Sequence, residues 1–284
     1  MRMGKFYFKH ALTALLALFV AKTGVAPAAQ VLYNSNGFEA SGGYVANLPL
    51  TGQPATGPVA NQWLQASQTL NNPGYPAAEV VNYPVPNQTQ QLVGVADNNI
   101  GVNDYGYWYP GTNLATPFTP SSINGTNVIN VAWTEAWLAG ATGDPFFGIA
   151  VQNGSNIVAL GGVDATTGLL VDEGPPNNTN ELGSSFFQGT AGTYYNFNLL
   201  LNYTSQTYGL YVNGTLIDTQ PFVNAASQFT DADITTYVLQ TTSGANGDGY
   251  FDNYLVTAVP EPGILAVGGL ALFLLSVRKP RPTA

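Results

Sequence analysis

The 284-residue chain has no cysteine, and its cationic side chains are confined to its two ends. All seven lysine and arginine residues and the single histidine lie before Thr23 or after Val277, whereas all sixteen aspartate and glutamate residues lie between these two positions. The central part of the chain is therefore a polyanion in which no carboxylate has a basic side chain to pair with. It also lacks disulfides, and a domain of this size buries enough apolar surface to fold without them.

The missing residue types exclude most catalytic and binding chemistry from the centre of the chain. Without His, Cys or Lys it has no Ser-His-Asp triad, no Cys-His pair, no Schiff-base lysine and no thiolate or histidine zinc site. A polyanion repels phosphate backbones, so nucleic acid is excluded as a partner. Two kinds of chemistry remain: a pair of carboxylates about 5–10 Å apart acting on a glycosidic bond, and the binding of a hard cation.

The N-terminus has the pattern of a secretory signal peptide. Basic residues at positions 2, 5, 9 and 10 precede an apolar stretch from Ala11 to Ala21, and the small residues Ala26 and Ala28 fit a signal peptidase site. An apolar stretch of this length is too short for a bilayer core of about 30 Å, which argues against an uncleaved anchor. We predict that residues 1–28 are a signal peptide, that signal peptidase cleaves after Ala28 and that the chain is exported.

The C-terminus combines three features in a fixed order: a short motif, an uncharged run over residues 263–277 and a basic tail over residues 278–284. A helix over the uncharged run would be about 22 Å long, enough for a transmembrane helix in a thinned bilayer. The positive-inside rule then leaves the tail in the cytoplasm and the main domain outside. The residues that carry the pattern are Val259, Pro260, Glu261 and Pro262 in the motif and Arg278, Lys279 and Arg281 in the tail.

This C-terminal pattern resembles that of the PEP-CTERM proteins, which Gram-negative bacteria export. The resemblance covers residues 259–284 and implies a sorting signal that passes through the inner membrane, where a membrane-embedded exosortase recognises and removes it. In that family the signal tends to accompany exopolysaccharide production. The resemblance therefore implies a location at the cell surface or in the extracellular matrix, and a polysaccharide partner. The alternative is a plain tail anchor that is not removed.

The centre of the chain, residues 29–258, has the pattern of an all-β domain. Three runs, over residues 127–137, 146–160 and 194–217, are rich in β-branched and aromatic residues and are punctuated by Asn-Gly pairs. In the third run, side chains from Tyr195 to Leu201 alternate between two faces, and Asn213-Gly214 predicts a hairpin turn. No central window keeps a helical period over three turns. We therefore predict one antiparallel β-sandwich domain.

Two segments and one hairpin of this domain resemble concanavalin A-like and laminin-G-like jelly rolls. The sequence GFEASGGYVANLPLTGQ, followed by Trp63, resembles the first strands of that fold, and GDGYFDNYLVTAVPEP resembles the last one. The segment LLLNYTSQTYGLYVNGTLI resembles its unit of three strands joined by two turns. The resemblance implies a jelly roll, a fold that lectins, glycosidases and scaffolds share, so it does not select among these functions.

One strand carries the best candidate for a carbohydrate contact. In a regular strand Trp133, Glu135 and Trp137 share a face, where the indole rings could stack on a pyranose and the carboxylate could accept hydrogen bonds from its hydroxyl groups. The competing interpretation is a core strand, and we favour it because Ile129 and Val131 share that face. A second aromatic cluster, at residues 105–109, either faces a polysaccharide or packs on its own domain.

The carboxylates themselves point to a hard cation. With no basic side chain nearby, a clustered or buried acid must be hydrogen-bonded, protonated or bound to a metal. Calcium binds about six to eight oxygen atoms from carboxylates and carbonyls. Two acid-rich segments supply such groups, Asp231 with Asp233 and Asp248 with Asp252. Calcium is thus the cofactor that the sequence suggests, and the alternative is that these acids are solvated turn residues.

These observations predict a non-enzymatic surface or matrix protein, without catalytic residues, that an exosortase-like enzyme sorts and that associates with exopolysaccharide. The first alternative is a secreted carbohydrate-active enzyme of the same fold that uses two carboxylates. The E-x-D-x-x-E pattern of laminarinase-type sandwich enzymes is absent, which disfavours this alternative. The second alternative is a lectin-like module that binds sugar with the help of calcium.

Overall fold

The computed structural model describes residues 28–57, 60–68, 77–82, 91–100, 105–111, 119–120, 126–154, 156–174, 178–239 and 244–259. Residues Ala29–Val259 form one compact unit. Among the residues described, no helix is long and apolar enough to cross a membrane. Several predictions fall outside the described residues: the signal peptide up to residue 27, the motif residues from Pro260 to Pro262, the helix over residues 263–277 and the basic tail.

The compact unit is built almost entirely from β-strands. Two short 3-10 helices, Asn36–Phe38 and Ala40–Gly42, follow the first strand. The strands within the described ranges are, in chain order, β1 (Gln30–Asn34), β2 (Leu48–Pro49), β3 (Pro54–Gly57), β4 (Ala60–Gln68), β5 (Ala77–Asn82), β6 (Gln91–Ile100), β7 (Tyr105–Gly111), β8 (Val128–Trp137), β9 (Pro145–Asn153), β10 (Asn156–Asp164), β11 (Leu170–Gly174), β12 (Asn178–Glu181), β13 (Tyr195–Asn202), β14 (Thr207–Val212), β15 (Thr215–Pro221), β16 (Asp231–Val238) and β17 (Ala245–Val259).

The strands form two antiparallel sheets. Sheet I runs in the order β2-β5-β6-β17-β8-β13-β14-β15. β6 pairs with the first half of β17, and β1 pairs with its second half on the same side. Sheet II runs in the order β3-β4-β7-β16-β9-β10-β11-β12. One residue pair, Asn34 with Thr56, joins β1 to β3 at a corner. Because consecutive strands such as β8 and β9 belong to different sheets, the chain crosses repeatedly between them.

Alternation of apolar and polar side chains explains how these strands face the core. In β13 the side chains of Phe197, Leu199 and Leu201 are buried, and the residues between them are more exposed. The turn between β14 and β15 has positive φ at both Asn213 (50°) and Gly214 (78°), the geometry that favours an Asn-Gly pair in a two-residue hairpin. The predicted all-β, antiparallel sandwich is confirmed, and its finer assignment to concanavalin A-like jelly rolls stays a prediction.

Facing side chains of the two sheets form one aromatic-rich core. Tyr33, Phe38, Trp63 and Tyr254 pack edge-to-face or tilted, with neighbouring ring centroids 5.5–5.7 Å apart. The Tyr254 hydroxyl of sheet I donates a hydrogen bond of 2.5 Å to the carbonyl oxygen of Ala232 in sheet II. Such a bond satisfies a polar group that would otherwise be costly to bury and ties the sheets together.

Sheet II has a second apolar cluster on its outer face. Phe146, Ala150, Leu160 and Val171 are all buried there, on β9, β10 and β11. The alternation of side chains along β7 and β16 places further residues on this face, among them Tyr107 and Asp233. This outer face is therefore mixed: it combines an enclosed apolar patch with tyrosines and carboxyl groups.

Candidate functional site

The strand that carries Trp133, Glu135 and Trp137 is a core strand. The three side chains share a face, as predicted, but that face looks into the sandwich, and they are 2%, 0% and 1% exposed. The Trp133 ring stacks on Phe197, with ring centroids 5.3 Å apart, and the Trp137 ring stacks on Tyr195 at 5.9 Å. The indole rings have no open face for a pyranose, so the sugar contact suggested for these residues is wrong and the core interpretation is right.

Glu135 is an enclosed acid without a cationic partner. Its Oε2 accepts a hydrogen bond of 2.7 Å from the Trp133 indole N–H, and its Oε1 has no partner. Burial raises the pKa of Glu135 well above its usual range, and the bond from Trp133 opposes that rise only in part. Burial thus favours the neutral form of Glu135 in the folded state.

The aromatic cluster at residues 105–109 is divided between the two faces of sheet II. Trp108 points into the core and is 1% exposed. Tyr105 and Tyr107 lie on the outer face, with ring centroids 5.0 Å apart, and both are half-buried. Tyr109 is half-buried as well. The cluster therefore packs partly on its own domain and leaves part of each tyrosine accessible.

Asp231 and Asp233 lie next to these tyrosines on the outer face of sheet II. Asp233 is almost fully buried, and its Oδ2 accepts a hydrogen bond of 2.6 Å from the side-chain amide of Gln152. Burial raises the pKa of Asp233 well above its usual range, with a contribution from the charge of Asp231, and burial raises the pKa of Asp231 to about 7. Burial also raises the pKa of Tyr107 to about 12, and the charge of Asp233 adds to this rise.

Asp252 lies elsewhere, beside the 3-10 helices that follow β1. Its two carboxylate oxygens accept hydrogen bonds from Asn253, one of 2.6 Å from the backbone N–H and one of 3.2 Å from the side-chain amide. Burial raises the pKa of Asp252 to about 6, the backbone bond from Asn253 lowers it, and the nearby charge of Glu39 raises it further. Oε1 of Glu39 is buried without a hydrogen-bond partner.

Asp248 lines a pocket of about 200 Å³ at one end of the sandwich. Asp97, Asn246 and the loop over residues 138–141 line the same pocket. Asp97 is 1% exposed, its Oδ2 accepts a hydrogen bond from the Thr236 hydroxyl and its Oδ1 has no partner. Burial raises the pKa of Asp97 to about 8, the bond from Thr236 lowers it, and the charge of Asp248 raises it further.

The structure thus distributes the four predicted calcium ligands over three places. Asp231 and Asp233 are together on sheet II, Asp248 is in the pocket with Asp97, and Asp252 is beside Glu39. Within the described ranges, no three Asp, Glu or His side chains form a group of metal-ligand geometry. Sequence reasoning missed Asp97, although one signal was present: it follows Val93 and Val95 at alternate positions and therefore shares their core-facing side.

Comparison with known proteins gives similarities of fold only. No family model matches the chain, and no curated protein matches it. Among solved structures, the chain resembles "Cellulose induced protein, Cip1" with a TM-score of 0.49 and 15% identity, over 69% of this chain and 91% of that one. It resembles a sialidase with a TM-score of 0.47 and 9% identity, over 68% of this chain and 16% of that one.

A third similar structure is an alginate lyase of polysaccharide lyase family 7, with a TM-score of 0.43 and 12% identity, over 66% of this chain and 83% of that one. The chain thus spans a small part of the sialidase and most of the other two proteins. Because the TM-scores are below 0.5, the assignment of the fold rests on the strand order and pairing described above.

Proposed function

We propose that the chain is an exported, non-enzymatic surface or matrix protein that an exosortase-like enzyme releases from its C-terminal sorting signal and that associates with exopolysaccharide. The observation that carries this proposal is the ordered signal at residues 259–284, with its motif, apolar run and basic tail. The body of the chain adds support, because between Thr23 and Val277 it has no His, Cys or Lys, the side chains on which most hydrolase mechanisms rely for a nucleophile or a base.

The end of the sandwich is consistent with a removable signal. The compact unit ends at Val259, which pairs with Val128, and the carbonyl oxygen of Val259 accepts a hydrogen bond from the Thr126 hydroxyl. Pro260 has no N–H to continue the ladder. Cleavage near Pro262 would therefore remove no residue that β17 contributes to the sandwich.

Intact-mass measurement of the protein from its native host tests the sorting step. We expect a product that lacks residues 1–28 and the residues after the motif. Glu261→Ala should leave the chain uncleaved in the inner membrane, whereas Glu79→Ala, at an exposed acid of β5, should be processed like the wild type. Full-length protein ending at Ala284 in the native envelope, or normal processing of the Glu261 variant, would contradict the proposal.

A second candidate is a two-carboxylate glycosidase, favoured by the pair on sheet II. Asp231 and Asp233 lie two residues apart on one strand face, near Tyr107, and the pKa of Asp231 of about 7 suits a general acid. Release of reducing sugar from the host's own exopolysaccharide, abolished by Asp233→Asn, would favour this candidate. Binding of that polymer without hydrolysis would favour the matrix protein.

A further inference from the structure

Both ends of the compact unit lie at the same end of the sandwich. Gln30, at the start of β1, pairs with Ala258 near the end of β17. β8 begins beside these residues, and β13 ends there. The turn that follows β13 bonds to the segment after β15, because the Gln206 side-chain amide donates a hydrogen bond of 2.8 Å to the carbonyl oxygen of Ala226. We name this end the base, and it consists of residues 28–31, 126–128, 202–207, 222–230 and 257–259. The chain therefore enters and leaves the sandwich at its base.

The base has no acidic side chain, although the domain as a whole is rich in acids. None of its five segments contains Asp or Glu. Asp231, which borders the base at the start of β16, is half-buried, and its Oδ1 atom is buried. The opposite end, where β17 begins, has acids from several strands and loops: Asp97, Asp144, Asp164, Glu181 and Asp248. The base is therefore the end that can approach an anionic surface with the least repulsion between that surface and the domain's own side chains.

The predicted membrane helix follows the base after three residues. β17 ends at Val259, and the uncharged run begins at Gly263. An extended chain spans at most about 3.6 Å per residue, so Val259 lies within about 14 Å of the start of this run. The headgroup layer on each side of the hydrocarbon core is about 5–8 Å thick, and crossing it uses about half of that length. An anchored chain therefore has to keep its base within about 10 Å of the lipid headgroups.

From this arrangement we propose that the base is a membrane-contact surface, which rests on the headgroups of an anionic lipid bilayer while the chain is anchored. The proposal rests on the membrane helix of the proposed function and deepens it, because sorting passes through the anchored chain. Thr204 and Ser205 are exposed at the tip of the turn after β13, and hydroxyl groups can donate hydrogen bonds to phosphate oxygens. A carboxylate at the same place would be repelled by those phosphates. The other candidate for an occupant, the sorting enzyme, would cover the base only where that protein is present.

Fluorescent labels at the two ends of the sandwich test the contact. Because the chain has no cysteine, one introduced cysteine gives one label. Ser227→Cys places a base label, and Ala139→Cys places a label at the opposite end; both positions are exposed. The two ends are about 36 Å apart along β17, because the backbone N–H of Leu138 bonds to Asp248, eleven residues before Val259.

The purified full chain is reconstituted into vesicles of phosphatidylethanolamine and phosphatidylglycerol that carry a quencher on some headgroups. We expect the base label to be quenched about threefold or more as strongly as the label at Ala139, because quenching falls with distance from the headgroups. Flotation with the vesicles reports anchoring separately. A chain that does not float would contradict both the membrane helix and the contact. A chain that floats but shows equal quenching of the two labels would overturn the contact alone and would favour the sorting enzyme as the occupant of the base.

Charge variants locate the surface. Thr204→Asp combined with Ser205→Asp adds two carboxylates to the base and should fold, because the turn is held by backbone N–H groups that bond to Asn202 Oδ1. Quenching of the base label should fall about twofold or more in the anionic vesicles. It should be unchanged in phosphatidylcholine vesicles, and the loss should disappear at about 1 M salt, where the Debye length is about 3 Å. The control, Ser184→Asp with Ser185→Asp, adds the same charge to an exposed loop after β12 and should quench like the wild type. Unchanged quenching in the base variant, or an equal loss in the control, would overturn the proposal.

Discussion

Buried carboxyl groups in this domain have no basic side chain to pair with, and Glu135 is the clearest case. The carboxyl group is completely buried on the core face of β8, and the Trp133 indole N–H is its hydrogen-bond donor at 2.7 Å. An ionised carboxylate would lose its hydration there with little compensation, so its pKa is well above the usual value for glutamate. The folded chain therefore retains a proton that the unfolded chain releases above about pH 4.5.

Glu135→Gln should stabilise the protein increasingly as the pH rises. Glutamine keeps the shape and the acceptor for Trp133 but has no proton to lose. Below about pH 4.5 glutamate is protonated in both states, and above it the wild type loses at most about 1.4 kcal/mol per pH unit relative to the variant. Urea unfolding at pH 5.5, 6.5 and 7.5 measures the difference. The exposed change Glu79→Gln is the control, and a difference that stays constant with pH would argue against a protonated Glu135.

Side-chain alternation could be read from the sequence, but burial depth could not. The pattern from Ile129 to Trp137 placed Glu135 on the apolar face correctly. Whether that face reaches solvent depends on sheet II, which no local pattern in β8 encodes. The same limit applied to Asp97, whose buried carboxyl group accepts a hydrogen bond from Thr236, a residue more than a hundred positions away in the chain. The local pattern assigns a side chain to one face of its strand, whereas the opposite sheet determines whether that face is buried.

At the scale of single elements, β9 and β10 leave no room for a side chain at the glycine pair Gly148 and Gly162, which lie opposite each other next to the ring of Phe146. A Cβ atom added to Gly162 would lie 2.1 Å from the carbonyl oxygen of Phe147 and 2.5 Å from Cα of Gly148. Both obstacles are backbone atoms that cannot rotate away. The glycines also leave room for the Phe146 ring, whose Cζ atom would lie 2.6 Å from a Cβ at Gly148 and 2.8 Å from one at Gly162.

Gly162→Ala should consequently destabilise the domain by about 2 kcal/mol or more, because the strands must separate to accept the methyl group. Gly183→Ala is a matched control: it is exposed, and the nearest atom to its added Cβ is 3.8 Å away. Its effect should stay within about 0.5 kcal/mol. Chemical denaturation of both variants measures the two values. If the two variants are equally stable, β9 and β10 separate at little cost in free energy.

The link from β17 to β16 through Tyr254 is a second element-scale feature. Tyr254→Phe keeps the ring packing but leaves the carbonyl oxygen of Ala232 without its 2.5 Å hydrogen bond inside the core. We expect a loss of about 1–2 kcal/mol in the free energy of unfolding. Tyr211→Phe, at a half-buried position of β14, should change it little. If both variants unfold at the wild-type urea concentration, the bond does not contribute to stability.

Elements joined by short turns could be predicted, whereas the sheet order could not. The hairpin of β14 and β15 follows from Asn213-Gly214 alone, since that pair supplies both positive φ angles. The central position of β17 between β6 and β8 depends on pairing across more than a hundred residues. Many orders of the strands found in the described ranges satisfy the same alternation, so the sandwich was predictable and the neighbours of each strand were not.

At the scale of the whole molecule, the acids give the stability a common dependence on pH. Burial raises the pKa of Asp164 to about 6, and it raises the pKa values of Asp172 and Asp231 to about 7. The charge of Asp218 adds to the rise at Asp172. Acids with raised pKa values stabilise the folded state fully below the unfolded pKa of about 4, and this contribution is lost as the pH rises through about 6–7.

The midpoint of thermal unfolding should therefore fall as the pH rises from 5.5 to 8.5, by about 5 °C or more. This is opposite to the behaviour of a domain whose carboxylates form salt bridges, which loses stability towards acid. The measurement needs constant ionic strength, because the net negative charge also causes self-repulsion that salt reduces. A midpoint that is constant or rises over this range would be inconsistent with neutral buried carboxyl groups.

The place of β17 has a mechanical consequence. This strand runs the length of sheet I, with β8 on one side and β6 followed by β1 on the other. A pull at Val259 along the strand axis would load the hydrogen bonds to these neighbours in shear and all at once, instead of opening them one after another. The same pull would have to drag Phe251 and Tyr254 through the packed core. A force applied at Val259 would therefore meet the sandwich in a shear geometry, in which many hydrogen bonds must break together before the strand is extracted.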